Sequence, residues 1–80
     1  MKHMSEARQF FKEVQEGCNK IGKGIERMSV QMGFNPRYFT NMKYRVLTEG
    51  KDIGPARMKN LNTFRRYIND EVKKLAKKRR

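Results

Sequence analysis

Apolar residues in the first quarter of the chain recur at the spacing of an α-helix. Separations of three, four and three residues place one set on a single helical face: Phe11, Val14, Cys18 and Ile21. Ser5 followed by Glu6 is typical of a helix start, because serine caps free backbone N–H groups and an early acid suits the helix dipole. Gly17 interrupts this helix at a cost of about 1 kcal/mol relative to alanine. We expect the helix to continue through Gly17 to about Ile21, and the glycines that follow to form a turn.

The next apolar positions predict a short helix that ends in a tight turn. Ile25, Met28 and Met32 lie at helical spacing on one face. Gly33 supplies the left-handed backbone conformation that ends a helix without a steric penalty from a Cβ atom.

A second short helix is predicted directly after this turn, over residues 36–45. Asn35 is a good N-cap, and Pro36 suits the first helical position because its missing N–H costs nothing there. Phe39 and Met42 face inward at a spacing of three. The outward positions carry hydrogen-bonding and basic groups: Arg37, Thr40, Asn41 and Tyr44.

Residues 46–54 are predicted to form an irregular loop, because they contain two glycines and an aspartate. A two-stranded wing is the alternative. Pro55 restarts a helix, and Asn69 with Asp70 can cap a new one, so either one helix of about 24 residues or two with a break near Asn69 fits the pattern. The inward positions of this region are Met58, Leu61, Phe64, Ile68, Val72 and Leu75.

These elements predict an all-α fold, a compact domain of four to five helices. Residues 5–76 form the domain, residues 1–4 a possible cloning remnant or disordered start, and residues 77–80 a basic tail. At 80 residues the chain can fold alone but buries only a modest fraction of its surface. The residues predicted to form the core are Phe10, Phe11, Val14, Met28, Met32, Phe34, Phe39, Met42, Leu61 and Phe64.

The composition adds a strong basic character. Twenty Lys and Arg residues against eight Asp and Glu residues give a formal net charge of +12. Such a charge favours a polyanionic partner, and we expect nucleic acid; a merely solvated basic surface is the alternative. There is no run of 18 apolar residues and no signal-peptide core, so we expect a cytoplasmic, nucleoid-associated protein with no membrane partner.

The stretch GFNPRYFTNMKYR is similar to the turn and recognition helix of the lambda-repressor/Cro (XRE-like) helix-turn-helix family. That family has a small residue in the middle of its first motif helix, where Ser29 stands in this chain. The other structural positions of the motif are matched by Gly33, Phe34, Phe39 and Met42. The family often begins the first motif helix with a phosphate-contacting glutamine, whereas this chain has Ile25. AraC-type regulators also have a Gly-Phe pair followed by a Tyr-Phe pair, but with one more residue between the two pairs than in this chain.

The resemblance implies a lambda-repressor-like domain that reads double-stranded DNA with helix 36–45 in the major groove. Matched by position, the residues implied to contact bases are Asn35, Pro36, Arg37, Thr40, Asn41 and Tyr44. Arginine can grip guanine O6 and N7, and asparagine can pair with adenine N6 and N7, so Arg37 and Asn41 are the best candidates for reading sequence. For Tyr38 and Tyr44 a packing role is the alternative to DNA contact.

Basic residues around these helices are predicted to hold DNA phosphates, which adds affinity without sequence information. They are Lys23, Arg27, Lys43, Arg45, Lys51, Lys77, Lys78, Arg79 and Arg80. The last four end the chain, where cations also complement the dipole at a helix C-terminus. A flexible phosphate-contacting tail is the other interpretation of this segment.

No motif in the sequence predicts catalysis. The single cysteine, Cys18, excludes an intramolecular disulfide and a multi-cysteine zinc site, and the single histidine, His3, lies in the N-terminal stretch that is a possible cloning remnant. There is no phosphate-binding loop, dinucleotide fingerprint, carboxylate pair or metal-ligand spacing. We expect no enzyme activity, metal, cofactor or small-molecule effector, and a buried structural role for Cys18.

The predicted function is that of a small transcriptional regulator, for example a repressor, of phage, plasmid or mobile-element type. Proteins with this motif bind palindromic half-sites as homodimers. The final helix is the predicted dimer interface, through Ile68, Val72 and Leu75. Neighbouring lysines repel one another across a symmetric contact, so dimerisation that occurs only on DNA is the alternative. Two other functions stay open: a nonspecific architectural nucleic-acid-binding protein, on DNA or RNA, and a protein-interaction adaptor such as an anti-repressor or antitoxin.

Overall fold

The structure, a computed structural model, describes residues 2–78 and the side chains of residues 6–77. Four α-helices follow one another along the chain: α1 Lys2–Ile21, α2 Ile25–Gln31, α3 Tyr38–Lys43 and α4 Pro55–Lys78. A π-helical turn, Tyr44–Thr48, extends α3. No β-strand occurs among the described residues, so the predicted all-α class is confirmed.

Helix α1 begins at Lys2 and not at Ser5. The predicted start at Ser5 is wrong, because residues 2–4 contain neither glycine nor proline and the helix runs through them. The end at Ile21 is confirmed. There Gly22 takes a positive φ of 82°, and its N–H donates to the Cys18 carbonyl at 2.8 Å.

The turn between α2 and α3 contains Gly33, as predicted, and Asn35, whose predicted role as the N-cap of α3 is wrong because Arg37 occupies that position. Gly33 has a φ of 92°, and the following N–H of Phe34 donates back to the Ser29 carbonyl at 2.9 Å, which closes the end of α2. Asn35 Oδ1 accepts the N–H of Arg37 at 2.9 Å. This bond shapes a turn over residues 36–37.

Regular α3 therefore begins at Tyr38, two residues later than the predicted start at Pro36. The Asn35 carbonyl accepts the N–H of Tyr38 at 3.0 Å, three residues on, and this tighter turn precedes the first α-helical bond from Asn41 to Arg37. Pro36 thus lies in the turn and not in the first position of the helix.

The segment after α3 differs from the predicted loop over residues 46–54. The helical path continues to Thr48, with the N–H of Glu49 donating to the Tyr44 carbonyl five residues back at 3.2 Å. Val46 is fully buried, and the burial of its side chain offsets the cost of the irregular turn. The irregular loop covers only residues 49–54, and the alternative of a two-stranded wing is wrong for this described segment.

Helix α4 is one helix of 24 residues, so the alternative of a break near Asn69 is wrong. It runs in the same direction as α1, since Glu13 pairs with Arg65 at 3.0 Å and Gly17 lies against Ile68 further along both helices. A continuous strip of α4 packs on α1, which keeps the helix intact through Asn69.

The core lies between α1, α4 and the α2–α3 pair. Most of the predicted core residues are buried: Phe11, Val14, Met28, Phe39, Met42, Leu61 and Phe64. Phe10, Met32 and Phe34 are only half-buried at its edge, which corrects their assignment. Phe10 is partly covered by the guanidinium of Arg65, 4.3 Å from the ring centroid. Ala7, Val46 and Ile53 join the core without having been predicted.

Candidate nucleic-acid interface

Helix α3 is held in place by a cluster of aromatic side chains. The ring of Phe39 stacks on that of Phe64 of α4, with centroids 4.0 Å apart. Tyr38 stacks on Phe34 at 5.2 Å, and its hydroxyl accepts a hydrogen bond from Asn60 Nδ2 of α4 at 2.9 Å. The ring and the hydroxyl of Tyr38 are thus both engaged inside the fold, which favours the packing role for this residue.

The residues predicted to contact bases lie on and just before α3, and most of their side chains are exposed. Exposed are Asn35, Pro36, Arg37, Asn41 and Tyr44, and half-buried is Thr40. Phe39 and Met42 on the opposite side of the helix are buried. The short helix therefore has one face committed to the core and one face of hydrogen-bonding groups turned to solvent.

A groove separates this face from the start of α4. Its volume is about 410 Å³, and its walls include Asn41 of α3, Tyr44 and Arg45 of the π-helical turn, and Arg57 of α4. Tyr44 is 57% exposed. The groove thus brings together three of the residues predicted to bind DNA and adds a second arginine from a distant part of the chain.

Arg57 was not predicted to take part in this site. The signal that could have found it is helical spacing. Arg57 stands three residues before Asn60 and seven before Phe64, so all three share the face of α4 that packs on α3. The contact between α3 and α4 is what converts this spacing into a site.

The surface around α3 belongs to a part of the chain without acidic residues. From residue 27 to residue 48 there is no Asp or Glu, while the basic residues there are Arg27, Arg37, Lys43 and Arg45. The three arginines are exposed. Such an arrangement creates a positive potential, which attracts a polyanion and accelerates its association. Glu49 is the nearest acid along the chain and lies at the groove.

Several predicted phosphate contacts have partners within the fold. Lys43 donates to Gln15 of α1 at 2.8 Å, Lys23 donates to Gln31 at 3.2 Å, and Lys51 lies 3.7 Å from Glu49. Lys43 and Lys23 are half-buried, whereas Lys51 is exposed. Arg27 of α2 and Arg45 of the π-helical turn are exposed members of the predicted set.

Lys77, the first residue of the predicted basic tail, lies far from the groove. Lys77 is exposed, and it follows Arg57 by 20 residues on one uninterrupted helix. At a rise of about 1.5 Å per residue, the two positions are roughly 30 Å apart. The side chain of Lys78 and all of Arg79 and Arg80 lie outside the described residues. The structure thus does not place Lys77 on the surface formed by α3.

Cys18 is 2% exposed, in the core between the helices. Burial raises the pKa of its thiol, although the nearby charge of Lys43 acts in the opposite direction. A buried thiol of raised pKa is a poor nucleophile. Among the described residues, no group of three or more His, Cys, Asp or Glu side chains could hold a metal ion.

The helices of the described region include none that is long and apolar enough to cross a membrane. No family model matches the chain, and comparison with curated proteins and with solved structures found no match.

Proposed function

We propose that this protein binds double-stranded DNA in a sequence-specific manner, as a small transcriptional regulator that inserts α3 into the major groove. The observation that supports this most directly is the two-sided character of α3. Its inner face is locked by buried Phe39 and Met42, its outer face exposes Asn41, and Arg37 is exposed directly before it, in a stretch of the chain (residues 27–48) without acidic residues. A rigid helix with exposed hydrogen-bonding groups is what major-groove recognition requires.

The exposed residues have distinct roles in this proposal. Arg37, at the start of α3, grips guanine through O6 and N7, and Asn41, one turn later, pairs with adenine through N6 and N7. Thr40 contacts a thymine methyl group or a phosphate, and Tyr44 contacts a base. Arg27 and Arg45 hold the DNA backbone on either side and supply affinity that is independent of sequence.

Binding as a homodimer on a palindromic site is part of the proposal, with a limited interface. Ile68 is fully buried in the monomer and offers no surface to a partner, whereas Val72 and Leu75 are half-buried. The apolar strip is therefore smaller than the sequence predicts. A contact of this size, flanked by Lys73 and Lys74, is consistent with dimers that form only on DNA.

The first experiment is selection from a randomised duplex pool at about 150 mM salt, followed by sequencing. Salt at this level suppresses nonspecific electrostatic binding. Enrichment of a palindromic motif is the expected result. Sedimentation of the free protein and of the complex then gives the stoichiometry, with a monomer expected in the absence of DNA and two copies on the palindrome.

Variants of the two reading residues test the assignment. Arg37→Ala and Asn41→Ala should each weaken binding to the selected site by about 5- to 150-fold, equivalent to about 1–3 kcal/mol, and leave binding to random duplex nearly unchanged. The matched control for Arg37 is Arg66→Ala, which removes the same side chain from an exposed position of α4.

Two outcomes would contradict the proposal. Equal losses on selected and random DNA would show that these residues do not read sequence. The absence of any enriched motif, with binding that falls steeply as salt rises, would support a nonspecific architectural protein instead.

A further inference from the structure

The groove between α3, the π-helical turn and the start of α4 is larger than a contact to one phosphate requires. Its volume of about 410 Å³ falls in the range of about 300–1,000 Å³ that small-molecule sites occupy. We propose that this groove holds a single unpaired nucleotide of the bound DNA strand. The proposal rests on the proposed function only for the surface that brings the DNA to the protein.

The side chains of the groove match the three parts of a nucleotide. Tyr44 presents an aromatic ring that is 57% exposed, and an unpaired base can stack on such a ring. Arg45 of the π-helical turn and Arg57 of α4 both line the groove and offer planar guanidinium donors to the phosphate. Glu49 provides acceptors for the edge of the base.

The placement of Glu49 orients the nucleotide. A carboxylate repels phosphate but accepts hydrogen bonds from an exocyclic amino group, so the base edge and not the phosphate lies beside Glu49. Adenine, cytosine and guanine carry such an amino group and thymine does not. An unpaired adenine is therefore preferred to an unpaired thymine.

The π-helical turn is the local feature that forms the stacking wall. Tyr44 and Arg45 are its first two residues, and their carbonyls accept N–H groups from Glu49 at 3.2 Å and Lys51 at 3.0 Å, five and six residues on. These bonds make the turn wider than a turn of α-helix. Such turns occur frequently at functional sites, and this one buries Val46 while it exposes Tyr44.

The test compares four short duplexes of one sequence: fully paired, with one bulged adenosine, with one bulged thymidine in its place, and with a bulged abasic sugar in its place. Fluorescence anisotropy at about 150 mM salt measures the affinities. The bulged adenosine should bind about 5- to 150-fold more tightly than the paired duplex, which is the gain from stacking one base on an aromatic ring. The abasic bulge should lose this gain, and a bulged thymidine should show less of it.

Variants of the groove identify the contacts. Tyr44→Ala should abolish the preference for the bulge, and Tyr44→Phe, which keeps the ring, should retain it. Arg57→Gln should reduce binding of the bulged duplex more than binding of the paired duplex. The matched control is Arg66→Gln, at an exposed arginine of α4 outside the groove. It should not alter the ratio of the affinities for the bulged and the paired duplex. Circular dichroism confirms that each variant is folded.

Equal affinity for paired and bulged duplexes would overturn this inference, as would a bulge preference that survives in Tyr44→Ala. Tyr44-dependent binding of free deoxyadenosine monophosphate without a bulge preference would assign the groove to a free nucleotide and overturn the strand assignment. A bulged RNA hairpin that binds more tightly than the bulged DNA would overturn the choice of DNA. Failure of the duplex selection to yield a motif leaves these ratios measurable, so the two proposals fail separately.

Discussion

Phe39 of α3 and Phe64 of α4 stack with their ring centroids 4.0 Å apart and their planes 7° from parallel, and both side chains are fully buried. Because Phe39 lies directly between Tyr38 and Thr40 on a short helix, this contact sets the direction in which the outer face of α3 points. The orientation of the candidate interface is thus coupled to the packing of α4 in the core.

Removal of the Phe39 ring should destabilise the domain strongly. Phe39→Ala is expected to lower the free energy of unfolding by about 3–5 kcal/mol, since it deletes a buried ring and leaves a cavity. Phe39→Leu should cost less. Urea denaturation followed by circular dichroism measures both. The control is Val30→Ala, at a residue 55% exposed, which should change stability by less than about 0.5 kcal/mol. A loss below about 1 kcal/mol for Phe39→Ala would contradict the packing described.

Gly17→Ala should destabilise the protein although alanine is the better helix former. On an exposed helix this change gains about 1 kcal/mol, but a Cβ atom here collides with Cγ2 of Ile68, and overpacking costs about 1–3 kcal/mol. In the double variant with Ile68→Ala, the cost of Gly17→Ala should disappear. Gly24→Ala is the control, because a Cβ atom there meets nothing within 4 Å. Stabilisation by Gly17→Ala alone would contradict the close contact.

The ion pair of Glu13 and Arg65 should make stability depend on pH in the acid range. Burial raises the pKa of Glu13, but hydrogen bonds from Arg65 and Gln9 outweigh it, so the pKa lies below its ordinary value. A lowered pKa in the folded state means that the ionised carboxylate stabilises the fold at neutral pH. This stabilisation is lost as the pH falls below about 4.3 and through the lowered pKa.

Thermal unfolding of Glu13→Gln at several pH values checks this dependence. The variant should have a lower Tm than the wild type at pH 7, and the difference should shrink progressively below about pH 4. Glu16→Gln, an exposed glutamate on the same helix, serves as the control. If wild type and Glu13→Gln differ in Tm by the same amount at pH 7 and below about pH 4, the Glu13 carboxylate does not contribute through its charge.

The thiol of Cys18 should be protected in the folded protein. It is 2% exposed and burial raises its pKa, so its reaction with an aromatic disulfide reagent should be about 100-fold or more slower in native buffer than in urea. Stabilising or destabilising variants should change the rate in step with their unfolding free energies. Rapid modification in native buffer, with the fold retained, would contradict the burial of this residue.

Local sequence patterns predicted the helices of this protein well where a short-range signal exists. The turn at Gly33 and the passage of α1 through Gly17 both follow from the conformational preferences of single residues and from helical spacing. The start of α1 at Lys2 and the late start of α3 at Tyr38 were missed, because several neighbouring residues tolerate either state and the choice among them has little local signature.

The π-helical turn was not predictable by the same means. Residues 46–54 contain two glycines and an aspartate, and this composition indicates a loop. Val46 is buried in the core, and this burial stabilises a helical turn in the first part of that segment. The local composition does not indicate that contact. The same turn presents Tyr44 and Arg45 at the groove.

The sequence by itself determined the all-α class, the inner and outer faces of α3, and a net charge of +12 that favours a polyanionic partner, since these depend on residue type and spacing alone. Only the tertiary structure decided that Arg57 lines one groove with Asn41, that Tyr38 packs inside the fold, and that Ile68 is buried in the core of the monomer. Each of these follows from the packing of α4 against α1 and α3. Contacts between residues far apart in the chain depend on how whole helices dock, and no local period encodes that arrangement.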